Sequence, residues 1–82
     1  MPRHKPTRAT KSSVALAVGK VLRNEREQLD LSQEEFSELV SLSKNYVGNL
    51  ERGEYEVSLT ILHQIAKALK RHASDLLSDS GY

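Results

Sequence analysis

The sequence predicts an all-α fold of five short helices, and three observations predict it. Apolar residues recur at spacings of three and four, not two. Serines precede the periodic stretches, where their hydroxyls can cap a helix. The links between stretches are about 2–5 residues long, which is typical of compact helical domains.

Residues 1–12 carry two prolines and several charges without apolar periodicity, so a flexible arm is expected there, followed by a folded domain over 13–78 and a frayed end at 79–82. In the first helix Val14, Val18, Val21, Leu22 and Leu29 recur at helical spacing, with Ser12 or Ser13 as the cap. Asp30 is a plausible left-handed stop, because Asp tolerates that backbone region better than most residues. Ser32-Gln33-Glu34-Glu35 is a capping box in which the Ser32 hydroxyl and the Glu35 carboxylate each take the other's backbone amide. Phe36, Leu39 and Val40 form the apolar face of this second helix, which should end near Ser41. Ser43 caps a third helix with Val47 and Leu50 facing inward and Gly53 as its stop. Ser58 caps a fourth with Leu59, Leu62, Ile65, Ala66 and Leu69 on its stripe. Arg71, His72 and Ala73 interrupt it before a short fifth helix with Leu76 and Leu77.

Composition narrows the function. The 82 residues suffice for one domain with a modest core. Without Cys there are no disulfides or thiolate metal sites, and a reducing, cytoplasmic setting is expected. No apolar run approaches the ~20 residues that span a membrane. The basic N-terminus lacks the apolar stretch of a signal peptide. His4, His63 and His72 fall in tail, helix and turn, away from metal-ligand spacing, so no metal or other cofactor is expected. No Gly-rich phosphate loop or nucleophile signature points to an enzyme or a small-molecule substrate. Four of the twelve basic residues, Arg3, Lys5, Arg8 and Lys11, and none of the eleven acidic ones precede Ser12, leaving a balance of −3 on the rest. Phosphate binding would then depend on the arm, local placement and helix N-termini, not on a global field.

The second and third helices are separated only by Ser41-Leu42-Ser43, so they must cross steeply. With Val47 and Leu50 inward, Lys44, Asn45, Gly48, Asn49 and Arg52 are left to face outward. Lys can donate to guanine and Asn can make a two-bond pairing with adenine. Gly48 would let a neighbouring surface approach closely. A groove for a partner helix would instead carry Leu, Met or aromatic residues on this face, which weighs against the main alternative, a helical protein-interaction module such as an antitoxin or adaptor.

These stretches, with Ser32-Gln33-Glu34-Glu35-Phe36, Leu42 to Gly53, Val57-Ser58-Leu59 and Ile65 to Leu69, resemble the Cro/phage-repressor-type, lambda-repressor-like helix-turn-helix family from about Val18 to Leu77. Within it, Tyr46-Val47-Gly48 followed by Glu51-Arg52-Gly53 and Val57-Ser58-Leu59 looks most like restriction–modification controller proteins. The resemblance implies a five-helix DNA-binding regulator of transcription. It implies that Lys44, Asn45 and Asn49 meet base edges, and that Gln33 binds a phosphate while bracing the recognition helix. Tyr46 and Arg52 match phosphate positions, and Ser43 joins them as a candidate. Arg26 and Glu51 match a buried pair tying the first helix to the end of the third. Four departures stand out. Ser37 replaces the usual Ala, Ser41 the usual Gly of the turn, Glu25 a usually apolar residue, and Lys70-Arg71 a common Gly-Val.

One such domain covers few base pairs, so a homodimer on a palindromic operator is expected, with half-sites about 34 Å apart. Ile61 lies one step off the stripe of Leu59 and Leu62 and should be partly exposed; with Ala68 and Leu77 it forms the candidate dimer interface.

Overall fold

The structure, a computed structural model, describes residues 12–82. The arm residues Arg3, Lys5, Arg8 and Lys11 lie outside the described part. Five helices follow in order: α1 (Ser13–Gln28), α2 (Gln33–Val40), α3 (Lys44–Glu51), α4 (Leu59–Ala68) and α5 (Ala73–Asp79), with no strand among the described residues.

Local chemistry sets the helix starts. Ser12, Ser32, Ser43 and Ser58 each have extended backbone and accept a hydrogen bond on the hydroxyl from the amide three residues on, at 2.9–3.1 Å. At Ser32 the box closes, since the Glu35 carboxylate accepts the Ser32 amide at 2.8 Å. α5 has His72 as its N-cap, and the His72 amide donates to the Asp75 carboxylate at 3.2 Å. The stops are left-handed residues: Asp30 (φ 59°) after α1, Ser41 (φ 62°) after α2, Gly53 (φ 74°) after α3 and Lys70 (φ 59°) after α4. At Gly53 a Cβ would also sit 2.7 Å from a Leu16 methyl, so this turn needs glycine for both conformation and space.

α1 packs on α3 and α5, α2 on α3 and α4, and α4 on α5. The core between them is aliphatic around one aromatic ring: Val18 and Leu22 from α1, Phe36 and Val40 from α2, Val47 and Leu50 from α3, Leu62, Ile65 and Ala66 from α4, and Leu76 from α5. The expected stripes are too wide at four positions. Val14, Leu29, Leu39 and Leu59 are exposed, and Leu59 reaches 79 %. Each sits near a helix end or at the edge of the stripe, where no neighbouring helix covers it. At the expected frayed end, Tyr82 donates its hydroxyl to Ser13 Oγ at 2.9 Å, and its amide bonds the Leu77 carbonyl at 3.1 Å.

Candidate nucleic-acid interface

The α2–turn–α3 unit is held at both ends. In the turn, the Leu42 amide reaches back to the Ser37 carbonyl at 2.9 Å, and the Ser41 amide bonds Glu38 at 3.3 Å. This closes α2 through a left-handed residue that is not glycine, which costs roughly 1–2 kcal/mol. Ser37, in place of the usual Ala, is buried with its hydroxyl donated to the Glu34 carbonyl at 2.7 Å, so its polar atom is satisfied.

At the far end of α3 the buried Glu51 carboxylate accepts three bonds. Arg26 donates Nε at 2.8 Å and Nη2 at 3.2 Å, and Gln33 donates Nε2 at 3.0 Å. Arg26 also donates Nη1 to the Leu31 carbonyl at 3.0 Å. One carboxylate therefore joins α1, the start of α2 and the end of α3. The side chains of Arg26 and Glu51 are 14 % and 3 % exposed, so the pair is shielded from water. The hydrogen bond to Glu51 raises the Arg26 pKa, against the opposing effect of burial. A raised arginine pKa means that the Arg26 side of this stabilisation is complete at neutral pH and is lost as pH rises through the folded-state value, in strongly alkaline solution.

α1 meets α3 closely because Gly19 has no side chain. A Cβ there would lie 2.5 Å from the Leu50 carbonyl oxygen and 2.7 Å from that of Glu51. No local sequence signal marks Gly19, since it stands inside a helix and its reason lies on another.

Between these mounts α3 turns Val47 and Leu50 into the core and leaves Lys44, Asn45 and Arg52 exposed, with Asn49 half-buried. Ser43 is exposed, and its oxygen already accepts the Tyr46 amide. Tyr46 is half-buried against the core, and its ring tilts on that of Tyr55 with centroids 5.7 Å apart. The loop residue Tyr55 was not singled out in the sequence. Arg52 folds back along α3 and donates Nη2 to Asn49 Oδ1 at 2.6 Å. Gly48 makes room for it: a Cβ there would lie 3.1 Å from Arg52 Nη1 and 3.5 Å from Gln33 Oε1. Gly48 is thus filled by the protein's own side chains, where close approach by an outside surface was expected. Gln33, Asn49 and Arg52 converge around it, and Lys44 and Asn45 lie at the other end of the helix.

Ile61, Ala68 and Leu77 do not meet this face. All three are half-buried and pack against the core. Among the described residues no His, Cys, Asp and Glu group suits a metal ion, and no helix is long and apolar enough to cross a membrane.

Comparison with known proteins shows the family. A helix-turn-helix family model matches residues 22–76. An uncharacterized HTH-type transcriptional regulator of Methanothermobacter thermautotrophicus is 40 % identical over 57 residues, covering 68 % of this chain and 83 % of the relative. Control protein C.SmaI of Serratia marcescens is 38 % identical over 60 residues, covering 73 % and 71 %. The crystal structure of the restriction–modification controller protein C.AhdI from Aeromonas hydrophila superimposes with a TM-score of 0.73 at 35 % identity, covering 79 % of this chain and 98 % of that one. The chain belongs to the helix-turn-helix family of DNA-binding transcriptional regulators.

Proposed function

We propose that the protein binds a palindromic operator as a homodimer and reads the major groove with α3, in the manner of a restriction–modification controller. The observation that carries this is the mounting of α3: its apolar side is sunk in the core, its C-terminal end is pinned through Glu51, and its outer side carries only polar and charged groups. Such a helix can enter a groove without rearranging. Lys44, Asn45 and Asn49 contact base edges, with Lys44 donating to an acceptor such as guanine O6 or N7. The Arg52 bond occupies one acceptor position of Asn49 and leaves its amide NH₂ as the group to donate to a base. Gln33, Ser43, Tyr46 and Arg52 fix the register on the phosphates. The similarity to C.SmaI and C.AhdI favours the controller class, because the matched region spans nearly the whole of C.AhdI.

Selection of bound sequences from a random DNA pool tests this. The expected product is a two-fold symmetric site with half-sites about one helical turn apart. Recovery of unrelated sequences would reject base readout by α3. A single unrepeated half-site would reject the dimer.

A further inference from the structure

Taking α3 as the reading helix, we propose that Gln64 on α4 is a positioning residue for DNA recognition. It clamps the α2–α3 turn and so fixes the angle at which Lys44 and Asn45 are presented.

A helix leaves its last carbonyls without intrahelical partners. The bonds within the turn use the amides of Ser41 and Leu42. Gln64 supplies the other half, donating Nε2 to the Val40 carbonyl at 2.8 Å and to the Ser41 carbonyl at 3.3 Å. Only the nitrogen of the side-chain amide can donate to two carbonyls, so its orientation is fixed by chemistry. Its backbone is fixed as well, because neighbouring Leu62, Ile65 and Ala66 are core residues. Gln64 is therefore a rigid external hold on a turn that does not favour its own conformation, since Ser41 is left-handed without being glycine.

The consequence falls on one end of α3. The C-terminal end is held by Glu51, Arg26 and Gln33 whatever the turn does. The N-terminal end follows Ser41-Leu42-Ser43 directly. Relaxation of Ser41 towards the right-handed region would swing Lys44 and Asn45 while leaving the body of the domain folded.

The test measures operator and non-operator affinity, with thermal unfolding, for Gln64→Ala, Gln64→Glu, Ser41→Gly and the Ser41→Gly/Gln64→Ala pair, using the operator obtained by selection. Gln64→Ala should weaken operator binding about five- to tenfold and leave non-operator binding unchanged. Gln64→Glu should weaken it further, because a carboxylate cannot donate to carbonyls and is repelled by them. Ser41→Gly should restore Gln64→Ala to within about twofold, because glycine holds the left-handed turn without a clamp. Unchanged operator affinity in Gln64→Ala, or no rescue by Ser41→Gly, would overturn the proposal. So would a parallel fall in operator binding, non-operator binding and stability, which marks a structural role only. If the unaltered protein showed no sequence preference, α3 readout itself would fall and this role with it. A normal preference that ignores Gln64 would remove this role alone.

Discussion

Glu25 on α1 and Arg71 in the turn before α5 form an ion pair across 46 residues of sequence. Arg71 bridges onward to Asp79 at 2.9 Å, so α1 and α5 are stitched together by one guanidinium. Its pKa is raised, chiefly by the hydrogen bond to Asp79, with the charges of Glu25 and Asp79 adding to it against partial desolvation. Glu25 and Arg71 are two of the departures from the family pattern noted in the sequence, and each is the other's explanation. A position that is usually apolar on both sides has become ionic on both sides.

Their coupling predicts a rescue. Arg71→Val should lower the melting temperature, because it leaves the Glu25 carboxylate, 13 % exposed, without its cation. Adding Glu25→Leu should recover the loss, since it removes the stranded carboxylate and leaves an apolar pair of similar volume. Additive effects in a double-mutant cycle would show that the two residues act independently.

Glu51 is expected to be far less replaceable. Glu51→Ala removes the acceptor of three hydrogen bonds and leaves Arg26 shielded without its counter-charge, at a cost on the order of 3 kcal/mol. Glu54→Ala, at an exposed position three residues past the end of α3, should cost much less. Chemical denaturation of both variants checks this, and equal midpoints would contradict it.

The two helical glycines should answer alanine in opposite ways. Gly19→Ala forces a methyl against backbone carbonyls of α3, which cannot move aside, so it should destabilise by about 1–3 kcal/mol or more. At Gly48 the nearest atom is the tip of the flexible Arg52 side chain. Gly48→Ala gains about 1 kcal/mol of helix propensity, so the fold should keep or improve its stability. Operator binding should nevertheless weaken, because Arg52 is displaced from Asn49. Gly48→Ala with normal operator affinity would show that the folded-back Arg52 plays no part in recognition.

Local features were the legible ones. The caps at Ser32, Ser43 and Ser58 and the left-handed Asp30 involve residues within four positions of one another, so their chemistry is written in short strings. Leu59 was misplaced because periodicity identifies a helix face but not whether another helix lies over it. Gly19 and Gln64 carry no signal at all. One acts through the carbonyls of a helix about thirty residues away, the other through a turn 23 residues back. Arg26 and Glu51 came from the family resemblance, because nothing in the spacing of two charges 25 residues apart shows that they meet.

Residues 1–11 carry four basic side chains, Arg3, Lys5, Arg8 and Lys11, and these are proposed to meet phosphates. Each neutralised phosphate contributes about −0.9 to the slope of log K against log salt. Deletion of the arm should flatten the slope while leaving the selected sequence unchanged. An equal slope in both proteins would show that the arm does not touch DNA.

The proposed dimer rests on Ile61, Ala68 and Leu77, which the fold leaves half-buried. Each then contributes to its own core as well as to any partner, so placing a charge at Ile61 would confuse unfolding with dissociation. Ile61→Ala shrinks the patch without burying a charge, and is the cleaner variant. It should associate more weakly in sedimentation and lose the tight operator complex while still binding a half-site. Leu59→Ser serves as its counterpart. This side chain is 79 % exposed, so its loss costs the fold almost nothing. If Leu59→Ser dissociates the dimer and Ile61→Ala does not, the interface lies at the N-terminal turn of α4 and not along Ile61 and Ala68. If the unaltered protein remains monomeric at high micromolar concentration, even on the selected operator, the two-fold model is wrong.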